Sequence, residues 1–408
     1  MKTDYVPQLR FSGFDDEWEE KKLGEVSDRI TRKNENLEST LPLTISAQYG
    51  LVDQITFFNN QVASTTNLRN YFLVKNGEFA YNKSYSAGYP WGAIKRLDRY
   101  EKGVLSTLYI VFKPKNINSD YLLSYYDTDK WYKQVSEIAA EGARNHGLLN
   151  IAPNDFFQTT FAAPMSEIEQ QKIGVFLSHV ESLIQAKTKK LESLKAVKKS
   201  LLQKCFPKAG QKVPEMRFAG FSGEWEVKKL GEIAEIITGT TPSTNDERNY
   251  GGDKLFVSPA DMNNRYVEKT ITTLTEKGFL LGRAIRPGST LFVCIGSTIG
   301  KVAQTVGYVT TNQQINAVIP KNDLDDDFVF TSLQSMSDEI STMAAQQAVP
   351  IINKSTFSSS DFSLPPSLAE QQKIGQFFSK YDVLISAQQK EIDKLKDIKK
   401  SLLQKMFV

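Results

Sequence analysis

Two separate stretches of this sequence each occur twice. Residues 7–25 (PQLRFSGFDDEWEEKKLGE) return as residues 214–232 (PEMRFAGFSGEWEVKKLGE), and residues 169–206 return as residues 370–407 with most positions kept. The blocks between these copies are similar in length, but their sequences barely agree. A frame repeated around two different blocks predicts two globular units of one construction that act on two different targets.

The second repeated stretch predicts a long helix in each half of the chain. Its apolar residues recur at alternating steps of four and three, which is the pattern of a coiled-coil seam. Polar residues interrupt both copies at matching places, and such residues fix register and partner at a cost in stability. We expect the two helices to pair with each other; packing of each helix on its own domain is the alternative. The predicted seam consists of Ile173, Leu177, Val180, Ile184, Leu191, Leu194, Leu201, Ile374, Phe378, Tyr381, Ile385, Ile392, Leu395 and Leu402.

Proline-marked junctions divide the chain. Ser166 and Ser367 follow such junctions as candidate helix N-caps, with Glu169 and Glu370 placed as capping-box partners. The predicted domains are residues 1–166 and 207–367, and the predicted helices are residues 167–206 and 368–408. Short β-like runs alternate with turn residues inside both blocks, so the predicted fold class is α+β.

Composition narrows the class of protein further. The net charge is only +3, and the lysine excess lies in the two helical stretches, so any nucleic-acid binding must use local patches. The sequence has no apolar run long enough for a membrane span and no apolar signal-peptide core. Two cysteines indicate neither a disulfide framework nor a metal site, and we expect a cytoplasmic protein.

The sequence contains few residue patterns that are typical of catalytic sites. His146 and His179 have no nucleophile or metal-ligand spacing beside them. The run from Gly296 to Lys301 is one residue too short for a phosphate-binding loop and lacks the hydroxyl residue after lysine. A dinucleotide-binding glycine pattern is also missing. The sequence therefore predicts a non-catalytic chain.

Polar and aromatic residues do cluster where predicted strands meet turns in both blocks. Amides pair with adenine, arginine and lysine pair with guanine, and hydroxyl groups and lysine reach phosphates. Loops are polar in any protein, so the argument depends on the groups rather than on single residues. The predicted DNA-binding residues are Gln48, Tyr49, Asn82, Lys83, Ser84, Tyr85, Arg144, Asn145, Asp261, Asn263, Arg265, Ser297, Thr298, Lys301, Asn312, Gln313 and Gln346.

The combination resembles the specificity subunit of Type I restriction–modification enzymes over essentially the whole chain. The resemblance is carried by the two openings from Arg10 to Glu25 and from Arg217 to Glu232. It is also carried by the two EQQKIG helix starts and the two KKSLLQK helix ends. The GSTIGK segment ending at Lys301 is similar to a segment of target-recognition domains, whereas the first block has a less similar run from Tyr81 to Tyr85.

This resemblance implies a function and a set of partners. Each block would be a target-recognition domain that reads one half of a bipartite DNA site. The helices would pair antiparallel in a pseudo-twofold molecule, and their length would set the unread spacer. Two modification (methyltransferase) subunits using S-adenosylmethionine would methylate adenine, and restriction (motor-nuclease) subunits using ATP and Mg would cleave. The chain itself would hold no cofactor and no metal.

Three other interpretations remain open at this point. A coiled-coil scaffold without DNA specificity would not need two divergent blocks in one frame. A nuclease or methyltransferase acting alone would need cofactor or metal motifs that the sequence lacks. A regulator of a palindromic site would need two matching readers, whereas these blocks differ.

Overall fold

The computed structural model describes residues 5–46, 49–58, 65–86, 88–139, 149–208, 210–344 and 350–408. The chain forms two compact units. Unit 1 comprises Met1–Ala186 and Ile392–Val408, and unit 2 comprises Lys187–Glu391. Both units combine short strands with helices, and the α+β class predicted from the sequence is confirmed.

Unit 1 holds ten short strands and five short helices among its described residues. The strands are β1 (Glu19–Lys22), β2 (Ser27–Ile30), β3 (Leu43–Ser46), β4 (Gly50–Asp53), β5 (Phe72–Lys75), β6 (Phe79–Asn82), β7 (Ala93–Arg96), β8 (Lys102–Leu105), β9 (Ile110–Pro114) and β10 (Thr160–Ala163). The helices are α1 (Leu23–Val26), α2 (Gln54–Phe58), α3 (Ser119–Tyr126), α4 (Tyr132–Ile138) and α5 (Pro153–Phe156), with a 3-10 helix at Thr65–Asn70. The main sheet is antiparallel with the order β2-β9-β6-β7.

The long helix α6 (Glu167–Cys205) begins in unit 1 and ends in unit 2. The strands of unit 2 are β11 (Glu226–Lys229), β12 (Ala234–Thr238), β13 (Tyr250–Val257), β14 (Tyr266–Val267), β15 (Thr272–Leu274), β16 (Thr290–Val293), β17 (Val302–Thr305), β18 (Val309–Thr311), β19 (Ile315–Pro320) and β20 (Asp361–Leu364). Its helices are α7 (Leu230–Ile233), α8 (Glu276–Leu280), α9 (Asp326–Ser335), α10 (Ser337–Thr342) and α11 (Lys354–Ser358), with a 3-10 helix at Glu247–Asn249. The second long helix, α12 (Leu368–Met406), begins in unit 2 and ends in unit 1.

The two units share a sheet topology although their blocks differ in sequence. The main sheet of unit 2 has the order β12-β19-β16-β17-β14, and its first four strands correspond to β2, β9, β6 and β7. The hairpin β6–β7 of unit 1 therefore corresponds to the hairpin β16–β17 of unit 2. As a result, the loops that follow β6 and β16 lie at the same edge of their sheets.

The repeated opening segments make the same contacts in both units. Strand β1 pairs antiparallel with β10, and β11 pairs in the same way with β20. Trp18 packs edge-on against Phe407, with ring centroids 6.5 Å apart, and Trp225 packs edge-on against Phe206 at 5.8 Å. Both tryptophans are buried, so they are core residues of their own units.

The glutamate of each EQQKIG motif binds an arginine of the opening segment. Arg10 donates from Nε and Nη2 to the two carboxylate oxygens of Glu169 at 2.7 and 2.9 Å. Arg217 binds Glu370 in the same bidentate manner at 2.7 and 2.8 Å. These glutamates were expected to complete capping boxes with Ser166 and Ser367. That expectation is wrong for their carboxylates, because the guanidinium groups offer two charge-assisted donors.

The first glutamine of each motif ties the long helix to the first helix after the sheet. Gln170 accepts a hydrogen bond from the backbone amide of Asn118 at 2.9 Å, and Asn118 caps helix α3. Gln371 accepts from the amide of Asp325 at 3.2 Å, and Asp325 caps α9.

The glycine of each motif permits a close approach of the same two helices. A Cβ on Gly174 would lie 2.6 Å from the backbone nitrogen of Tyr121, and one on Gly375 would lie 2.8 Å from the nitrogen of Phe328. The motif is therefore a helix–domain joint, which explains its presence in both frames.

The long helices pack against each other within each unit. In unit 2, Lys187 binds Glu391 at 2.6 Å and Lys198 binds Asp382, so residue numbers run in opposite directions and the segments are antiparallel. In unit 1, Lys399 binds Glu181 at 3.0 Å. Every residue of the predicted seam is buried or half-buried.

Candidate DNA-binding loops

Four loops of unit 2 meet at one edge of its sheets. We define the loop edge of unit 2 as residues 239–242, 258–264, 294–301 and 312–314. Backbone hydrogen bonds hold these loops together: the amide of Asn312 donates to the carbonyl of Val257 at 3.1 Å, and the amide of Thr240 donates to Thr311 at 2.9 Å. Lys301 Nζ donates to the carbonyl oxygen of Pro259 at 3.1 Å. Side chains far apart in sequence are thus presented on one surface.

The loop between β16 and β17 carries the GSTIGK segment. Gly296 and Gly300 both have positive φ angles, which glycine adopts without steric cost. A Cβ on Gly300 would lie 2.4 Å from Ser341 Oγ, so the loop also packs closely on α10. The segment joins two antiparallel strands, whereas a nucleotide-binding phosphate loop joins a strand to a helix. The tight loop instead leaves Ser297 exposed at its tip, with Thr298 half-buried beside it.

The amides at the β18–β19 turn divide into two kinds. Asn312 is engaged internally, because its Oδ1 accepts from the amide of Gln314 at 3.1 Å and its Nδ2 donates to Gln314 Oε1 at 2.9 Å. Gln313 is exposed, and its Oε1 accepts a hydrogen bond from Thr241 Oγ1 at 2.6 Å. Gln313 is therefore better placed to meet a ligand than Asn312.

The loop after β13 separates its three predicted residues. The carboxylate of Asp261 stabilises the loop itself, since it accepts hydrogen bonds from the amide of Ser258 at 2.8 Å and from the amide of Ile271 at 2.7 Å. Asn263 is exposed, and its side-chain Nδ2 donates to the carbonyl of Ala260 at 2.7 Å. The side chain of Arg265 is 2% exposed and does not belong to the loop edge.

Arg265 is held by groups of its own unit. It forms ion pairs with Asp327 and, at 3.2 Å, with Asp382, and its Nε donates to Gln304 at 3.0 Å. Its guanidinium carbon lies 4.3 Å from the ring centroid of Phe330. The structure thus gives Arg265 an internal role, and its predicted contact with DNA has no support in its position.

In unit 1 the described residues of the β6–β7 loop, 83–86 and 88–92, lie at the equivalent edge. Asn82 Oδ1 accepts from the amide of Ser84 at 3.0 Å, which shapes the start of the loop. Lys83 Nζ donates to the carbonyl of Ile151 at 3.2 Å, and burial lowers the pKa of this lysine. Tyr85 and Tyr49 are exposed, with more than half of each side chain accessible. These residues form the loop edge of unit 1, defined as residues 49 and 82–86.

The remaining predicted positions, Gln48, Arg144, Asn145 and Gln346, lie outside the residues that the structure describes.

Sequence reasoning missed one cation beside the loop edge of unit 2. Arg283 is exposed, and its Nη1 donates to the carbonyl of Thr238, the last residue of β12, at 2.8 Å. This contact places the guanidinium beside the loop that begins at Gly239. Arg283 stands alone after a glycine in the sequence, and its position depends on a strand 45 residues away, so no local pattern marked it.

Two other kinds of site are absent from the described part of the chain. Its residues hold no group of three or more histidine, cysteine, aspartate or glutamate side chains placed to bind a metal ion. Across the same residues, no helix is both long and apolar enough to cross a membrane.

Comparison with known proteins identifies relatives of the chain. Residues 222–397 match the family described as the Type I restriction modification DNA specificity domain. The chain is 30% identical over 192 residues to the Type I restriction enzyme MjaIX specificity subunit of Methanocaldococcus jannaschii, which covers 45% of this chain and 44% of that protein. It is 29% identical over 182 residues to the HindI specificity subunit of Haemophilus influenzae, covering 43% and 39% respectively. The match thus spans less than half the length of these two curated relatives.

A solved structure shares the fold over the whole chain. The Type I restriction–modification system S subunit from M. genitalium superposes with a TM-score of 0.65 at 14% identity and covers 99% of both chains. The sequence repeats, the paired units, the specificity-domain match and the two named relatives agree with one another. The chain is therefore similar to Type I restriction enzyme specificity subunits, and its residues 222–397 match the DNA specificity domain of that family.

Proposed function

We propose that this chain is the DNA-reading subunit of a Type I restriction–modification enzyme and that each unit reads one half of a bipartite target. One observation carries the proposal: the two units share a sheet order and a frame but place different polar side chains at the same edge. A shared scaffold with divergent loops is the arrangement expected of two readers with different specificities.

The side chains at and beside the loop edges have the chemistry for this task. In unit 2, Gln313 and Asn263 present amides, which can pair with the edge of adenine, while Lys301 and Arg283 supply cations for phosphates or guanine. In unit 1, Tyr49 and Tyr85 present hydroxyl groups on broad rings, and Lys83 supplies a cation. Because the net charge of the chain is only +3, these local groups would supply the attraction to DNA.

Docking surfaces for partner subunits are proposed on the long helices. The flank of each helix that carries Gly174 or Gly375 packs on the domain of its own unit. A different flank exposes apolar residues at equivalent positions: Phe176, Leu183 and Ile398 in unit 1, and Phe377, Leu384 and Val197 in unit 2. All but Phe377, which is half-buried, are more than one-third exposed. Apolar side chains repeated on a solvent-facing helix surface fit an interaction site.

Two equivalent sites would bind two copies of one modification subunit. In this proposal the chain is not an enzyme. The modification subunits bind S-adenosylmethionine and methylate adenine, and restriction subunits use ATP and Mg to translocate and cleave DNA.

Mapping of methylated adenines in cells that co-express this chain with its modification subunit tests the proposed reading function. We expect a two-part motif with an unread gap. Gln313→Ala should change the preference in one half of the motif only, and Tyr85→Ala should affect only the other half. As a control, Gln203→Ala alters an exposed amide on α6 away from both loop edges and should leave the motif intact. Methylation without any sequence preference, or equal effects of both variants on both halves, would contradict the proposal.

Helix length provides a second test of the same function. Each long helix has 39 residues. Inserting one heptad in both helices adds about 10 Å of helix, which corresponds to roughly three base pairs at 3.4 Å each. We expect a longer unread spacer with both half-sites unchanged; an unchanged spacer in a folded variant would refute the role of the helices as a ruler.

The docking surfaces are tested by acidic substitutions. Leu183→Asp with Leu384→Asp should abolish co-purification of the modification subunit. The matched control is Ser193→Asp with Gln404→Asp, which places the same charges at exposed polar positions of the same helices, again one in each unit. Equal retention of the partner by both double variants would exclude this flank.

A further inference from the structure

Each unit contains a row of four alternating charges that runs from the long helices into the domain. In unit 1 the row is Glu181, Lys399, Asp127 and Lys95. Lys399 Nζ lies 3.0 Å from Glu181 Oε2 and 2.8 Å from Asp127 Oδ2, and Lys95 Nζ lies 2.7 Å from Asp127 Oδ1. Asp127 is the C-cap residue of α3, so the domain of unit 1 contacts the long helices through an acidic group that binds a helix lysine.

In unit 2 the row is Lys198, Asp382, Arg265 and Asp327. Lys198 binds Asp382, whose Oδ2 lies 3.2 Å from Arg265 Nη1, and Arg265 binds Asp327 in the first turn of α9. Three of the four side chains are at most 12% exposed. Here the domain meets the helices through a basic group on a carboxylate.

The helix residues of the two rows occupy equivalent positions. Lys198 and Lys399 fall at the same place in the two copies of the repeat, and so do Glu181 and Asp382. Each unit thus receives one lysine from one long helix and one carboxylate from the other.

The domain residues of the two rows differ in sign. Gln334 of α9 occupies the position that Asp127 has in unit 1, and it accepts a hydrogen bond from Lys198 as a neutral group. The compensating charge in unit 2 comes instead from Arg265, which binds the carboxylate of the helix pair rather than its lysine. One helix pair therefore receives an acid from its domain and the other receives a base.

We propose that the repeated lysine–carboxylate pair is an ionic socket that accepts either an acidic or a basic group of a recognition domain and thereby sets the position of that domain on the helices. Arg265 and Asp127 are then positioning residues rather than DNA contacts. One frame could then carry recognition domains that bring either an acidic or a basic group to the helices. This consequence for DNA specificity rests on the proposed DNA-reading function.

Physical reasoning supports a socket rather than an ordinary surface ion pair. A buried charge that loses its partner is strongly destabilising, whereas exposed pairs contribute little. The two long helices supply one lysine and one carboxylate in each unit. An acidic domain group can therefore bind the lysine and a basic one the carboxylate, while the lysine and the carboxylate stay paired with each other. If the helices supplied a buried charge of one sign only, a domain group of the same sign would be repelled and the helix charge would stay unpaired.

The socket predicts which helix residue matters in each unit. In unit 1, Lys399→Met removes the helix partner of Asp127 and leaves it with Lys95 of its own domain, whereas Glu181→Gln leaves the bond between Lys399 and Asp127 in place. We expect amide hydrogen exchange in α3 to accelerate on the order of tenfold or more for Lys399→Met and less than about threefold for Glu181→Gln.

The order should reverse in unit 2. Asp382→Asn removes the helix partner of Arg265, whereas Lys198→Met leaves the bond between Asp382 and Arg265 in place. Exchange in α9 should therefore respond more to Asp382→Asn. The proposal is overturned if the lysine, or the carboxylate, dominates in both units, or if neither substitution accelerates exchange in its own unit.

A pair of conservative variants covers the case in which a variant fails to fold. Glu181→Asp and Asp382→Glu exchange the carboxylates of the two sockets. If either carboxylate serves either domain, each variant should keep exchange within about threefold of the unmodified chain. A rise on the order of tenfold in either unit would overturn the proposal.

A domain exchange separates the socket from the DNA-reading function. In a chain whose residues 230–364 are replaced by residues 23–163, the second domain brings an acid to Lys198. We expect Lys198→Met to become the more harmful variant in unit 2, and the methylation map to show the first half-site twice. A reversed order without new methylation supports the socket and refutes the proposed function. New methylation with an unreversed order supports the function and refutes the socket.

Discussion

The bidentate pair between Arg217 and Glu370 should be a main determinant of the stability of unit 2. Glu370 is 1% exposed and Arg217 is 12% exposed. Their two hydrogen bonds measure 2.7 and 2.8 Å. Arg217→Met would leave the glutamate carboxylate buried without a charged partner. Removal of one partner from a buried ion pair costs about 3–5 kcal/mol.

That cost can be expressed as a change in melting temperature. Unit 2 runs from Lys187 to Glu391, and domains of about 150–250 residues lose roughly 2–4 °C per kcal/mol. Arg217→Met should therefore lower the melting temperature of unit 2 by about 6–20 °C. Scanning calorimetry of the full chain measures the shift, and hydrogen exchange identifies the unit that unfolds.

A matched control separates burial from charge. Lys212 and Glu224 form an exposed pair at 3.0 Å, with side chains 59% and 67% accessible. Lys212→Met removes the same charge at the surface and should shift the transition little, because exposed pairs contribute about 0–1 kcal/mol. The double variant Arg217→Met with Glu370→Leu should recover much of the loss, since a buried pair can be replaced by apolar groups at little cost. A shift for Arg217→Met no larger than that for Lys212→Met would refute this reasoning.

Three further predictions follow from individual contacts. Gly375→Ala should lower the free energy of unfolding by about 1–3 kcal/mol in urea despite the better helix propensity of alanine, because its Cβ would lie 2.8 Å from the backbone nitrogen of Phe328; unchanged stability would contradict the close approach. Burial alone would raise the pKa of Asp127, but Lys95 and Lys399 lower it from 3.8 to about 2. The ionised carboxylate therefore stabilises unit 1 above about pH 4, and this stabilisation is lost as the pH falls towards 2. In Asp127→Asn this part of the pH dependence of the melting temperature should be absent. Phe407→Ala should cost about 3–5 kcal/mol in unit 1 and leave hydrogen exchange in unit 2 unaltered, because Phe407 is 2% exposed and belongs to the unit 1 core.

Much of the architecture could be predicted because the signals are periodic or repeated. The alternating spacing of apolar residues predicted the two long helices, which are present as Glu167–Cys205 and Leu368–Met406. Short β-like runs predicted strands inside both blocks, and strands such as Leu43–Ser46 and Ile315–Pro320 are present. Local chain preferences and apolar spacing determine such elements, so a single sequence reveals them.

The fate of individual polar residues could not be predicted in the same way. Arg265 follows two asparagines in a loop, which is typical of a residue that contacts a ligand. Its carboxylate partners lie 62 and 117 residues away in the sequence, so only the fold shows that it is an internal ion-pair partner. Asp261 and Asn312 likewise have side chains that could bind DNA bases, but their oxygens accept hydrogen bonds from nearby backbone amides. Residue type therefore identified the loops but not the side chains that remain available within them.

The two units differ in how the chain completes them, which has a consequence for the order of folding during synthesis. Unit 2 is continuous from Lys187 to Glu391, whereas unit 1 needs Ile392–Val408 in addition to the first part of the chain. Leu403, Met406 and Phe407 fill the core of unit 1, and the ribosome makes them only after every residue of unit 2. Unit 1 therefore begins to leave the ribosome before unit 2 but closes after it. Until then it exposes the apolar surface around Trp18 and Tyr121 that Phe407 covers in the folded protein.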